Sequence, residues 1–263
     1  MSEDVFRPCD EIELTDRGDY AILRITREAK RNSMNRSARD GMRAAFDRAR
    51  NRNRVIVLTG TGTSFCAGID LKERGEDVER GIHTASAEWA EVNVAIRQHS
   101  SVFVAAVNGT ALGGGLTLIN VCDLAIAAED VEVGMPELGF GSYAGLSGPS
   151  TQVSIPRKRA AWMMLTTDRI PARVAMEWGL VNQCVPAGEL MSSAEALAAR
   201  IAKFEPNAIA TTKRALDMIP STISDLGQAF HYGELANASI RVRTGVVNPF
   251  KSLPQSGPGK AAD

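Results

Sequence analysis

The chain has 263 residues, 44% hydrophobic and 23% charged, with a formal net charge of −1. That length suits one large domain or two small ones, and a core of this size needs no metal or disulfide staple. The near-neutral balance gives no electrostatic ground for a nucleic acid or an anionic membrane as partner, and no apolar run approaches the roughly 20 residues that span a bilayer.

The four cysteines, Cys9, Cys66, Cys122 and Cys184, are far apart and lack metal-ligand spacing, so no metal site is expected and a reducing compartment is. The N-terminal MSEDVFRPCDE has neither an Arg-rich amphipathic stretch nor an apolar signal segment. A cytoplasmic location is the expectation.

In chain order, Ile12 to Leu14 and Tyr20 to Ile25 read as strands joined by a turn at Gly18–Asp19. Ser37 to Arg50 places Met42, Ala45, Phe46 and Ala49 at helical spacing, with Ser37 as the candidate cap. VIVLT, from Val55 to Thr59, is a short β-branched run of the kind a buried parallel strand shows. A helix over Glu88 to Gln98, a strand over Val102 to Val107, a glycine-rich turn, a helix over Leu116 to Val121 and a strand over Leu124 to Ala128 follow. Strands alternating with helices imply crossovers and an α/β core.

Beyond about Ala187 the strand signals fade. Ser193 to Lys203, Ala208 to Met218 and Ile223 to Thr244 read as helices, and the Pro/Gly/Ser-rich tail SLPQSGPGKAAD as disorder. Arg36, Arg39, Arg43, Arg50 and Arg54 fall roughly on one side of a helix. Asp40 and Asp47 interleave with them, so a solvated face is the expectation, with an anion-binding patch as the alternative. His83, His99 and His231 have no triad partner in a recognisable motif and are assigned to core or surface.

Two segments carry the chemistry, TGTSFCAGIDLK at 61–72 and NGTALGGGLT at 108–117. Each follows a buried strand and leads into a helix, where glycine admits a ligand to the backbone and the first N–H groups lack internal acceptors. Side by side, two such junctions can aim two donors at one oxygen, which is what an oxyanion hole requires. Tight structural turns are the alternative for either segment alone. Neither GxGxxG nor a P-loop lysine is present, which sets aside nucleotide binding.

SFCAGIDLKE resembles the crotonase (enoyl-CoA hydratase/isomerase) family's F-C-A-G-x-D-L-K-E segment. VNGTALGGGLTLINVCDLAIAAEDVEVGMPELGFG is similar to that family's A-V-N-G-x-A-x-G-G-G-x-E-L-x-x-x-C-D segment and the G-x-P-E that follows it. REAKRNSMN and AMEWGLVNQCVP resemble two further motifs, so the likeness runs from about residue 12 to 220. It implies a crotonase-like ββα spiral core over 1–200. It also implies a helical trimerisation region over 201–263, and assembly as a homotrimer or a dimer of trimers.

The resemblance further implies an acyl-CoA substrate, with no cofactor beyond its coenzyme A. The oxyanion donors would be the N–H groups of Ile69 and Gly114, and the acid/base Glu137. Thr117 stands where the family's hydratases carry a second glutamate, as a hydroxyl residue does in its feruloyl-CoA hydratase-lyases, and it could position a water. Ala67, Gly68 and Asp70 belong to the expected substrate site, Asp70 as a capping or turn residue. The loop LGFGSYAGLSGPSTQ, which in the family shapes the acyl pocket, departs from the family pattern, with Ser147, Gly148 and Pro149 for Gly-Gly-Thr; Tyr143 within it is a candidate contact for the acyl group, with a packing role as the equal alternative. Lys30 and Arg31 match the family's basic positions for the CoA phosphates, and Lys213 its C-terminal lysine. Hydratase or hydratase-lyase chemistry is favoured over double-bond isomerisation, and a non-catalytic acyl-CoA-binding protein is the alternative.

Overall fold

The buried apolar runs of the sequence are strands in the computed structural model, which describes residues 4–245. Strands β1 (Asp4–Cys9), β2 (Ile12–Asp16), β3 (Tyr20–Ile25), β4 (Val55–Gly60), β6 (Val102–Val107), β8 (Leu124–Ala128) and β11 (Gln183–Val185) form one sheet in the order β1-β2-β3-β4-β6-β8-β11. The first three pair antiparallel, and from β3 onward every pairing is parallel. All six residues of β4 are buried, which is why VIVLTG carries no alternation.

A second sheet, in the order β10-β9-β7-β5, is built from short strands for which the sequence carries no strand signal. These are β5 (Ser64–Cys66), β7 (Thr110–Leu112), β9 (Glu132–Gly134) and β10 (Ile170–Pro171). In three successive passes the chain lays one strand in each sheet, β4 then β5, β6 then β7, and β8 then β9. β5, β7 and β9 stack in parallel. GTALGGG therefore begins as a strand and only then turns. Strands of two or three residues carry too little periodicity to be read, and the neighbouring pass supplies their partners.

Helices α1 (Arg36–Ala49), α2 (Leu71–Glu79), α3 (Ala85–Gln98), α4 (Gly114–Val121), α5 (Ser147–Ser154), α6 (Arg157–Thr166), α7 (Ala172–Trp178) and α8 (Leu190–Ile201) complete this unit. α8 lays Ala194 and Ala198 on β4, β6 and β8. α1 turns Met42, Ala45, Phe46 and Ala49 to the core, as its spacing predicts. Its cap is Asn35, whose side chain accepts from the Ala38 N–H at 2.9 Å. Ser37 donates instead to Glu11 at 2.8 Å.

The arginine face is the second correction. Arg39 is fully buried, and donates to Glu73 at 3.0 Å, Glu88 at 2.8 Å and the Met34 carbonyl at 2.9 Å. Arg36 pairs with Asp77, and Arg43 with Glu91. These three cations fasten α1 to α2 and α3, whereas Arg50 stays exposed beside Asp47 at the end of the same helix, as a solvated face requires. His99 is a core residue: its Nδ1 accepts from the Ser101 N–H, which leaves Nε2 to donate to the Phe46 carbonyl at 3.1 Å.

The chain divides into two compact units, residues 1–209 and 210–263. α9 (Pro206–Thr222) runs across that boundary, and α10 (Leu226–Thr244) lies in the second unit. Asp225 starts α10 by accepting from the Gln228 N–H at 2.9 Å, which delays the helix expected from Ile223. The tail expected to be disordered lies outside the described residues.

Candidate active site

Gly68 has φ +87° and Gly113 φ +52°, a region that residues with a side chain rarely occupy. Each directly precedes one of the expected donors. Ile69 makes an isolated parallel bridge with Met34. Its bonds run from the Met34 N–H to the Gly68 carbonyl at 2.8 Å, and from the Asp70 N–H to the Met34 carbonyl at 3.2 Å. In that pattern the residue between the two bonds turns its own N–H the other way. Gly114 opens α4, where the N–H has no acceptor within the helix. Among the described residues neither amide has a hydrogen-bond acceptor.

The two junctions touch. A Cβ placed on Gly68 would come 2.9 Å from the Gly114 nitrogen, and one placed on Gly114 would come 3.1 Å from the Gly68 Cα. Strands β5 and β7, paired in parallel, bring them together. Beside them, a Cβ on Gly113 would meet Glu137 Oε1 at 2.8 Å. Glu137 begins a 3-10 turn, Glu137–Phe140, directly after β9 and Pro136.

Ala67, Gly68, Ile69, Gly114, Glu137 and Tyr143 all line one cavity of about 490 Å³. Its wall is otherwise largely apolar, with Leu71, Phe140 and Leu146 among the lining residues. Glu137 accepts from the Ser147 hydroxyl at 2.6 Å through Oε1, while Oε2 is buried without a hydrogen-bond partner among the described residues. Tyr143 is 65% exposed, and its hydroxyl accepts from Gln152 at 3.4 Å.

Thr117 and Asp70 are not among the lining residues: Thr117 is tied within its own helix, and Asp70 takes the capping role expected of it. The Thr117 hydroxyl is buried and donates back to the Gly113 carbonyl at 3.4 Å, one turn earlier in its own helix. Asp70 caps α2 by accepting from the N–H groups of Lys72 and Glu73, and pairs with Arg27 at 2.6 Å. Burial opposes the charge on Asp70, but Arg27 and those two amides outweigh it and hold the carboxyl below its ordinary value. Burial, outweighing the hydrogen bond from the Gly68 N–H, pushes the Cys66 thiol, beside Ala67, up to about 12.

Lys30 and Arg31 also stand outside the cavity lining, with exposed side chains. The Arg31 carbonyl accepts from the Ala67 N–H at 3.0 Å, which fixes both residues beside the first glycine junction. Lys213 lies on α9 in the second unit. Ser147 and Trp89 are among the lining residues that sequence alone does not assign to the site. Ser147 was visible as a departure from the family pattern, with nothing to say what it touches. Trp89 carried only a helical apolar signal. Among the described residues no group of His, Cys, Asp and Glu could hold a metal ion, and no helix is long and apolar enough to cross a membrane.

A two-sheet spiral with paired glycine junctions defines the crotonase fold class, and solved structures agree. An enoyl-CoA hydratase from Bacillus anthracis superposes with a TM-score of 0.80 at 30% identity, covering 88% of this chain and 90% of that one. A sequence model of the enoyl-CoA hydratase/isomerase family matches residues 18–234. The chain belongs to the enoyl-CoA hydratase/isomerase family.

Among curated relatives, a putative enoyl-CoA hydratase of Thermus thermophilus is 31% identical over 86% of this chain and 90% of its own length. A mevalonyl-coenzyme A hydratase of Aspergillus fumigatus is 35% identical over 62% of this chain. The match spans 60% of that relative's length.

Proposed function

We propose that this protein is an acyl-CoA enzyme that polarises an enoyl thioester with the Ile69 and Gly114 amides and moves protons with Glu137. The observation that carries the reading is the contact between the two glycine junctions, beside a carboxylate with one buried, unpaired oxygen. Preorganised amides interact most strongly with an oxygen that gains charge, so they lower the barrier to the enolate rather than only binding the ester.

In hydration, Glu137 takes a proton from water as the water oxygen adds to C3. The electron pair moves to the thioester oxygen, and the enolate then recovers the proton at C2 from Glu137. The relatives named as hydratases favour this reading. Thr117 lends no weight to it, because its hydroxyl is bonded within α4. The double-bond isomerase remains as a second reading, favoured by one fact: Glu137 is the one carboxylate among the described lining residues. A single carboxylate suffices to take a proton from C2 of a 3-enoyl thioester and deliver it to C4.

The exposed Lys30 and Arg31 suit the CoA phosphates, whereas Lys213, expected to share that role, is buried and does not present its ammonium to a ligand. Self-assembly as a trimer or a dimer of trimers is supported by α10, which buries no residue and exposes Leu226, Phe230, Leu235 and Val242. Light scattering reporting a monomer would count against it.

The central test is a panel of acyl-CoAs incubated with wild type and Glu137→Gln, with hydrated, isomerised and cleaved products resolved by mass. Turnover by wild type that falls by at least about 10²-fold in the variant, with binding retained, is the expected result. Equal turnover in both removes Glu137 from the chemistry. Binding without turnover in either makes the protein a non-catalytic acyl-CoA binder.

A further inference from the structure

The cavity wall holds a second orphaned polar atom. Trp89, on α3, is fully buried, lines the cavity, and its Nε1–H has no hydrogen-bond partner among the described residues. A buried indole N–H left unpaired opposes folding, and folded proteins rarely keep one without a use for it. Its position is specific. A Cβ on Gly114 would come 2.6 Å from Trp89 Nε1, closer than to any other atom outside the neighbouring backbone. The indole donor therefore stands directly against the residue whose own N–H is assigned to the thioester oxygen.

We propose that Trp89 Nε1–H is a third donor to that oxygen, acting beside the Ile69 and Gly114 amides. The inference rests on the reading that a thioester is seated at those two amides. Helix α3 is well placed to hold the indole still. Glu88, the preceding residue, takes hydrogen bonds from Arg39, and the Trp89 carbonyl accepts from the Asn93 side chain at 2.7 Å. The apolar wall around it keeps water from competing for the donor, which raises its worth to an oxygen that becomes negative. A glycine at 114 is what lets the indole approach, since any side chain there would strike it.

A conjugated thioester such as 2,4-hexadienoyl-CoA reports the polarisation of its carbonyl directly, as a red shift of its absorbance on binding. The shift is measured at saturating ligand for wild type, for Trp89→Phe, and for a protein carrying benzothienylalanine at position 89, which keeps the indole's shape but has no N–H. The expected result is a clear shift in wild type and a smaller one in both variants. kcat is then reduced by about 10²-fold, the scale of one oxyanion donor, with KM little changed.

If wild type shifts and the benzothienylalanine protein shifts equally, the third donor is overturned while the two-amide site stands. If the variants keep the shift but lose affinity only for acyl groups bearing an oxygen substituent, Trp89 serves the acyl chain and the inference is likewise overturned. If wild type itself gives no shift with bound ligand, the seating of the thioester fails, and the inference fails with it.

Discussion

The Ser147 hydroxyl donates to Glu137 Oε1 at 2.6 Å, and both residues line the same cavity. Oε1 is held by Ser147, and Oε2 is buried without a hydrogen-bond partner among the described residues; in the proposed reaction Oε2 is the oxygen that exchanges the proton. Ser147→Ala removes a charge-assisted bond of the stronger kind and frees the side chain to rotate. The expected outcome is a fall in kcat of about 10-fold, with KM nearly unchanged, because the bond orients an acid/base rather than the substrate. Steady-state kinetics on the best substrate of the panel check it, and an unchanged kcat would refute the assignment.

Gly113 is constrained twice, by φ +52° and by Glu137 Oε1 2.8 Å from where a Cβ would stand. With ψ −115° the residue lies outside even the left-handed helical region, so Gly113→Ala combines backbone strain of about 1–3 kcal/mol with displacement of the carboxylate. A large loss of kcat is expected. Gly139→Ala is the control, since nothing lies within 4 Å of its Cβ position and its φ is not positive. Equal activity of the two variants would show that the crowding at Gly113 is tolerated.

Arg39 couples stability to the site. Besides Glu73 and Glu88 it holds the Met34 carbonyl, and Met34 is the bridge partner of Ile69. Arg39→Met leaves two carboxylates without their buried cation. The partners are partly solvated, which places the expected loss near the low end for a broken buried pair, about 3 kcal/mol. Urea unfolding measures it. A drop in kcat under conditions where the variant is still folded would report the loosened Met34–Ile69 bridge.

Thr117 tests the meaning of the missing second glutamate. Its hydroxyl makes one long bond to Gly113 and does not line the cavity. Thr117→Val should leave kcat unchanged. A large fall would return the hydroxyl to the chemistry, through a conformation other than the one described.

Acid should weaken the scaffold of the first glycine junction. Asp70 is held below its ordinary value of 3.8 because Arg27 and two α2 amides outweigh the burial that opposes its charge. Glu88 is held below 4.5 by the Thr84 hydroxyl first, and by Arg39 and Arg36 against burial. A carboxyl whose folded value is lowered adds stability above its unfolded value, and that stability is lost as pH falls through the lowered one. Thermal midpoints should therefore drop as pH falls from about 6 to about 3, and Arg27→Met should flatten that limb. An equally steep limb in Arg27→Met would exclude the Asp70 pair as its source.

What the sequence determined by itself is local. Buried runs such as VIVLTG and VFVAAV, the two glycine junctions, and Glu137 after its proline are each legible within a dozen residues, because strand burial and positive φ leave their mark at the position concerned. The convergence of those pieces was decided by tertiary structure. The three-residue strands β5, β7 and β9 hold together only through neighbouring passes of the spiral. The spiral then sets Ser147 on Glu137, buries Arg39 between two helices, and stands the Trp89 indole against Gly114. A side chain's type and spacing do not tell which distant polar atom it will face. The same serine, arginine or tryptophan suits core, surface or site until packing chooses its partner.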